Sequence, residues 1–502
     1  MRLEFLGHAS LMLASGDLRV LFDPLLFGVH HEGLYDVYPP RRLDLAALPA
    51  IDAVVLSHAH RDHFDPESIA RLHSSTPILA ADDPLLLGCL AGLGFTQVEP
   101  LVNWSAVTVG ALQITPTPAA EGAIEHGFVM QEQGRTVWHL VDTFPSASTI
   151  LEVKRRFGAI DVLIAPWQPL QDATFPSGVP VHFPHDMYRT ILCNILQIAP
   201  RTLIPGACGF RAIGPAAWTN HLIFPVTRAR FVADILAAAP ALTDHVLEME
   251  PGDALALAPG MLAREHGLLD YCACERADYR WEALSFRPFD LGAPVIEPRG
   301  DAFTHANCRG AIDDFFAALE GSIADDPEAF GWHRRWQVIR QYEIVFADGE
   351  RSFWVADFTA TPTIRPGRSP LALAHTILPA SLLLGLVAGT ISWDYAVLSG
   401  ELRQHDHSYR VDDAGLHTPA GRRLPDPLAV MLGAPEAEEH HLSLYIERLR
   451  QDTDMEPEAT DHAAAVAPTV DRTRSEFGSE AVMKDVLAAL SRAGLDLEKI
   501  GR

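Results

Sequence analysis

The sequence predicts an α/β fold in two parts: an αββα sandwich over residues 1–260, then a smaller α+β domain over 301–450. Three observations carry this. Short β runs come first as a meander and later alternate with helical stretches, which favours layered sheets over one doubly wound sheet. A second hairpin-and-helix pattern follows a proline-rich break at 261–300. Of the 502 residues, 48% are hydrophobic and 21% charged, enough apolar material for two cores.

In order, Leu3–Leu6, Leu11–Ala14 and Arg19–Phe22 read as strands separated by Gly or polar breaks. Ala53–Leu56 (AVVL) is a buried-strand run ending at Ser57-His58, and Pro66–His73 reads as a helix. Strands follow at Ala106–Ile114, Gly127–Gln131 and Thr136–Val141, the last two joined by a Gln133-Gly134 hairpin turn. Helices at Ser146–Phe157, Asp186–Ile198 and Phe224–Ala239 alternate with strands at Asp161–Ala165 and Thr202–Ile204. His245–Leu257 reads as a strand pair around Pro251-Gly252. Residues 261–300 carry Pro288, Pro294 and Pro298 and read as a linker or covering segment. In the second part, Ala311–Leu319 is helical, Trp336–Phe346 and Arg351–Asp357 form a hairpin across Asp348-Gly349, and Ala380–Val387 is an apolar helix. The acidic, Ala/Pro-rich stretch 451–478 reads as disordered, and 479–502 as a C-terminal amphipathic helix.

Charge and cysteine usage narrow the partners. With 39 Lys and Arg against 65 Asp and Glu, the net charge of −26 argues against nucleic acid, which requires clustered cations. Six scattered Cys make no disulfide framework and point to a reducing, cytoplasmic setting. Glu4, His8 and the lack of a small-residue cleavage site speak against a signal peptide. Leu371–Trp393 has the length of a membrane span, but His375, Pro379 and Gly385 make it a buried helix of a soluble domain. A small-molecule substrate is therefore expected, with homo-oligomerisation open.

The chemistry concentrates in Ser57-His58-Ala59-His60-Arg61-Asp62-His63. Three imidazoles and a carboxylate within six residues, just after a buried strand, do not read as ordinary core. Imidazole nitrogen and carboxylate oxygen both bind zinc or iron. On an extended loop His58 and His60 point one way and can hold one metal, while Asp62 and His63 turn away towards a second.

This HxHxDH segment resembles the signature of the metallo-β-lactamase superfamily, in its lactonase-like and phospholipase-D-like branch. The resemblance covers roughly residues 1–260 and extends to Gly7-His8-Ala9-Ser10 and Phe22-Asp23-Pro24. It implies two divalent metals, zinc first, with iron or manganese as alternatives. His58 and His60 would hold one with a third His, Asp62 and His63 the other, and a carboxylate would bridge them. Asp142, in Val141-Asp142-Thr143, matches that bridging position, although the family usually has Gly before it. His126 is the candidate third His; His139 reads as a packed strand residue, and Asp23 as an orienter of a ligating His. The last ligand departs from the pattern. Leu203-Ile204-Pro205-Gly206-Ala207-Cys208 lacks the expected His, which leaves His221, then His185, and Cys208 as a soft ligand; His182 also lies upstream.

The run 194–209 (NILQIAPRTLIPGACG) is similar to the metallo-β-lactamase-like part of CMP-N-acetylneuraminate hydroxylase. No CxH…CxxH pair accompanies it, so a resident Rieske cluster is not expected, and Cys272-Ala273-Cys274 reads as an ordinary pair. Residues 383–403 look like the end of a sterol-carrier-protein-like domain, which would imply an apolar ligand in the second part; a structural or dimerising domain is the alternative. Together these resemblances imply hydrolysis of a lactone, ester, amide or phosphoester by a metal-activated water. Asp62 and Asp142 would be at its centre, with His8 and His185 as candidate proton or substrate contacts. The alternative is an O2-dependent non-haem (di)iron oxygenase at the same site.

Overall fold

The computed structural model describes residues 1–119, 124–170, 183–224, 226–258, 261–275, 294–419, 424–452 and 469–470. Most of the acidic stretch 451–478 and all of the helix expected over 479–502 lie outside them, as does His182.

Two sheets face one another in the first part. One runs Met261–Glu265, Ala254–Ala258, Arg2–Gly7, Ser10–Ser15, Leu18–Phe22, Ala53–Leu56, Ile78–Ala81 and Val98–Leu101. It begins as an antiparallel meander, and from Leu18–Phe22 onward each neighbour is parallel. The other runs Thr202–Pro205, Val162–Ala165, Arg135–His139, His126–Glu132, Leu112–Pro118 and Val107–Val109, with Thr469–Val470 at its edge. Side-chain alternation builds the layers. Leu11, Leu13, Ala53 and Val55 enter the core between the sheets with Phe128, Met130 and Val137. Met12, Val54 and Leu56 point to the outer face instead. Phe22 and Phe128 meet across the layer with ring centroids 5.5 Å apart. The helices Ala147–Phe157, His185–Ile198 and Arg228–Ala238 contribute Ile150, Ile191 and Phe231 to the same core.

Several expected elements end elsewhere, each for a local reason. The helix from Pro66 stops at Ile69, where the next amides, Arg71 and Leu72, turn to carbonyls three residues back. The expected strand 106–114 folds into two at Gly110, whose φ of 60° suits a tight turn. The helix expected from Phe224 begins at Arg228, capped by the Thr227 hydroxyl. The pair expected around Pro251-Gly252 does not form. Asp253 accepts from the Glu250 and Gly267 amides and closes that segment as a turn, and Ala254–Ala258 pairs with Arg2–Glu4 instead.

Residues 261–275 continue this architecture: Met261–Glu265 extends the first sheet, and Cys272–Cys274 pairs with Arg41–Leu43. The second part has its own sheet, in the order Thr363–Pro366, Arg351–Asp357, Ile339–Val345, Ala374–Pro379 and Arg403–Asp406. Its centre is filled by Phe316 stacked on Trp354 at 4.6 Å, with Tyr342 and Leu383 beside them. A buried Arg340–Asp426 pair at 3.1 Å is completed by Tyr342 and Gln404, each 3.0 Å from Asp426. Buried charges of this kind are tolerated when every oxygen is engaged. Leu371–Trp393 divides into the strand Ala374–Pro379 and the helix Ala380–Val387. Among the described residues no helix is long and apolar enough to cross a membrane.

The two parts share cores. Helix Pro435–Asp452 places Leu442 and Ile446 in the apolar cluster on the outer face of the first sheet, beside helix Pro84–Gly92. Leu398, ending helix Trp393–Leu398, joins Leu34, Tyr35, Phe210 and Phe224.

Candidate metal centre

The site forms where parallel strands end. Asp23 follows Leu18–Phe22, and Ser57–His63 follows its neighbour Ala53–Leu56, so both segments leave the sheet side by side. Asp23 has a φ of 39°, a left-handed conformation that Asp tolerates better than most residues. Its carboxylate then receives the Ser57 amide at 2.8 Å, the Ser57 hydroxyl at 2.7 Å and His63 Nδ1 at 3.1 Å. Beyond it, Phe64 N–H closes on His60 C=O at 2.7 Å, the turn that swings Asp62 and His63 away from the extended run.

The expected residues converge in part. His58 Nε2 lies 3.7 Å from Asp142 Oδ2, and His63 Nε2 lies 3.3 Å from the same oxygen. Asp62 Oδ2 lies 3.5 Å from His63 Nε2 and 3.3 Å from His8 Nε2. Three overlapping sets of ligand atoms each fall within 4.8 Å: His58, His63 and Asp142; His8, Asp62 and His63; and His58, His60 and Glu125.

Glu125 was not among the sequence candidates. Its neighbour His126, expected as the third imidazole, instead places Nδ1 3.0 Å from Asn103 Oδ1 and falls outside all three sets. Only adjacency to His126 hinted at Glu125, which lies just before the strand His126–Glu132.

Other candidates separate. His139 is buried and accepts the Val141 amide at 3.2 Å, as a packed strand residue. His185 is exposed with its ring against Phe183, and it is absent from all three sets. His221 lies on the short helix Asn220–Ile223, and its side chain is outside the described residues. Burial pushes the Cys208 thiol up to about 12, so it lines the site as a neutral group. Val141, standing where the family resemblance expects Gly, has a φ of 59°. For a β-branched residue that is strained by about 1–3 kcal/mol.

The electrostatics fit a cation. Burial pulls the His58 imidazole down to about 4 and His126 likewise to about 4, so both are neutral bases. Burial also works against protonated His63, but Asp142 and Asp62 outweigh it and raise His63 well above its ordinary value. Asp62 is held well below the usual carboxylate range, His63 outweighing the cost of burial. Burial and the Asp142 charge raise Glu125. Buried Nε2 atoms of His8, His58, His63 and His126, with Asp142 Oδ1, have no hydrogen-bond partner. Leaving such atoms unpaired costs about 1–3 kcal/mol each, and a divalent metal would relieve it at His58, His63 and Asp142.

A cavity of about 380 Å³ opens from His60, Asp62 and Asp142. Its walls include Phe144, Leu170 and Phe210 from the first part and Asp394, Val397 and Leu398 from the second.

Residues 18–205 match the beta-lactamase superfamily domain. A Mycolicibacterium smegmatis protein named for a Rieske 2Fe-2S iron–sulfur centre is 28% identical over 186 residues, 34% of this chain and 36% of that one. The chain thus spans little more than a third of that relative's length. A UPF0173 metal-dependent hydrolase of Ruegeria sp. is 25% identical over 241 residues, covering 43% of this chain and 96% of that protein. One of Natranaerobius thermophilus is 27% identical over 174 residues, covering 33% and 70%. Among solved structures, an isothiocyanate hydrolase from Delia radicum gut bacteria is 19% identical, covers 52% of this chain and 100% of that one, and has a TM-score of 0.37. CmlA, a diiron β-hydroxylase from Streptomyces venezuelae, is 17% identical, covers 50% and 52%, and has a TM-score of 0.36.

Proposed function

From a chain of the metallo-β-lactamase superfamily, we propose a metal-dependent hydrolase that cleaves a lactone, ester, amide or phosphoester of a small molecule at a centre of two divalent metals. The observation that carries this is the convergence of unpartnered His58 and His63 Nε2 atoms on Asp142. The relatives named metal-dependent hydrolases support it. In this reading His58, His60 and Glu125 would hold one ion and Asp62 and His63 a second, with Asp142 within reach of His58 and His63 as a shared carboxylate. Glu125 takes the place first assigned to His126, and His221 is the candidate for the last position.

When bound, such a metal pair supplies a water-derived nucleophile at neutral pH and polarises the substrate's oxygen. The protein's own groups prepare the site. Asp23 accepts from His63 Nδ1, which leaves the Nε2 lone pair facing the cation. His8 Nδ1 accepts the Gly209 amide at 3.1 Å, so a neutral His8 carries its proton on Nε2, beside Asp62. That proton would stand at the edge of the site, 3.3 Å separating His8 Nε2 from Asp62 Oδ2.

Zinc is expected first, with manganese or iron as alternatives. Protein loaded with zinc or manganese should cleave aryl ester or phosphodiester reporters, and Asp142→Ala should abolish it. Cleavage that survives this change sinks the reading.

One observation favours a second reading, O2-dependent oxidation at iron. With Glu125, the first position becomes two His and one carboxylate, a donor set suited to non-haem iron. Iron in protein purified without added metal, with O2 uptake on reduction, would select it; zinc without uptake selects hydrolysis.

A further inference from the structure

We propose that the C-terminal part completes the substrate pocket and selects an apolar small molecule bearing a basic amine, with Asp394 as the residue that receives the amine. The proposal rests on the metal centre being the reactive site, and it narrows the substrate class of that site.

The cavity beside His60, Asp62 and Asp142 has two kinds of wall. Phe144, Leu170, Phe210, Val397 and Leu398 make it apolar over most of its length. Asp394, on the first turn of helix Trp393–Leu398, is the carboxylate lining it from the second part. Its side chain is 49% exposed, and His31 Nε2 holds Oδ2 at 2.8 Å. Asp62 and Asp142 belong to the metal centre, so their charge is already committed. No Lys or Arg lines the cavity among the described residues. An ammonium would find a half-exposed carboxylate and an apolar sleeve, with His31 the imidazole beside that carboxylate.

Asp394 is held deliberately by the fold. His31 and Glu32 both have left-handed backbones, with φ of 53° and 55°, an unfavourable conformation for two consecutive non-glycine residues. Contacts from the second part stabilise it. His31 pairs with Asp394, Glu32 accepts the Ser392 hydroxyl at 2.5 Å, and His441 Nε2 lies 3.4 Å from Glu32. Gly400, φ 70°, brings the chain against Trp218, where an added Cβ would sit 2.9 Å from the indole. The wall carrying Asp394, Val397 and Leu398 is therefore locked to the first part at several independent points. It is a fixed side of the pocket.

The test is calorimetric titration of the zinc-loaded full-length protein with phenethylamine, phenethyl alcohol and phenylacetate. The amine should bind about tenfold more tightly than the alcohol, as expected for one charge-assisted hydrogen bond. Asp394→Asn should erase that margin, and Asp394→Glu should retain part of it. Leu398→Gln should weaken amine and alcohol alike. Parent protein that binds the alcohol or phenylacetate as tightly as the amine overturns the proposal without any variant. An amine preference that survives Asp394→Asn assigns the amine to the metals and overturns it too. The titration reads occupancy, so absence of ester cleavage would refute hydrolysis without touching this result.

Discussion

Replacing Asp23 with Asn tests whether one buried carboxylate organises the metal loop. Asn is the apt change, because it keeps the size of Asp and tolerates the φ of 39° at this position. Asp23 accepts three hydrogen bonds, from the Ser57 amide, the Ser57 hydroxyl and His63 Nδ1. An amide group cannot serve all three. With its oxygen on the Ser57 N–H, its NH2 faces the hydroxyl and the imidazole; flipped, it confronts the Ser57 N–H with another donor. Two bonds to a charged acceptor are lost, each worth about 1.5–3 kcal/mol, so the metal-free protein should lose about 3 kcal/mol after local rearrangement. The NH2 also favours a His63 with bare Nδ1, which moves the imidazole proton to Nε2. Metal affinity should then fall about 10–100-fold, or roughly 1.4–2.8 kcal/mol. Competition with a fluorescent zinc chelator measures the affinity, and thermal denaturation with and without chelator measures the stability. Zinc held as tightly as in the parent protein would refute the argument that Asp23 sets the His63 tautomer.

The remaining predictions concern neighbouring elements. Glu125→Gln should lower metal occupancy while His126→Gln leaves it nearly intact, as read by elemental analysis; the reverse order would return the third position to His126. Gly209→Ala should destabilise by about 1–3 kcal/mol, because the new Cβ would sit 2.8 Å from the His8 backbone and 3.1 Å from the Tyr38 carbonyl, neither of which can yield easily. Burial lowers the His31 pKa, but Asp394 outweighs it and raises the folded value above 6.5. The stabilisation is thus full below that ordinary value and lost as pH rises through the raised one. Glu32 is the opposite case. Burial would raise it, yet His441 and Ser392 bring it to about 2, so its contribution is present above 4.5 and lost as acidification approaches 2. Amide protection factors at residues 30–33 and 393–398, corrected for the intrinsic exchange rate, should therefore be highest between these limits, and His31→Asn should flatten the alkaline limb alone.

Much of the first part was legible from local pattern. Leu11, Met12 and Leu13 alternate between two cores as period-two burial requires. Gln133-Gly134 turns a hairpin with φ of 48° and 75°, the geometry that dipeptide favours. His58, His60, Asp62, His63 and Asp142 could be singled out as candidates, and Asp23 as their orienter, because donors at strand ends keep a short spacing in sequence, and the fold brings them close together. Local pattern erred where a distant partner decided the outcome. Val246 bridges only to Leu203, and Ala254–Ala258 was claimed by the N-terminal strand, which no window around Pro251 contains.

What the sequence determined by itself was therefore a layered sandwich and a loop dense in imidazole and carboxylate donors, since periodicity and donor spacing are written in adjacent residues. Tertiary structure alone decided that Glu125 rather than His126 faces His58 and His60. It alone placed helix Pro435–Asp452 against the first core and walled the cavity with Asp394. The physical reason is common to all three. Which side of a strand meets a loop, and which helix covers a face, depend on burial gained between segments hundreds of residues apart, and that energy has no signature within either segment alone.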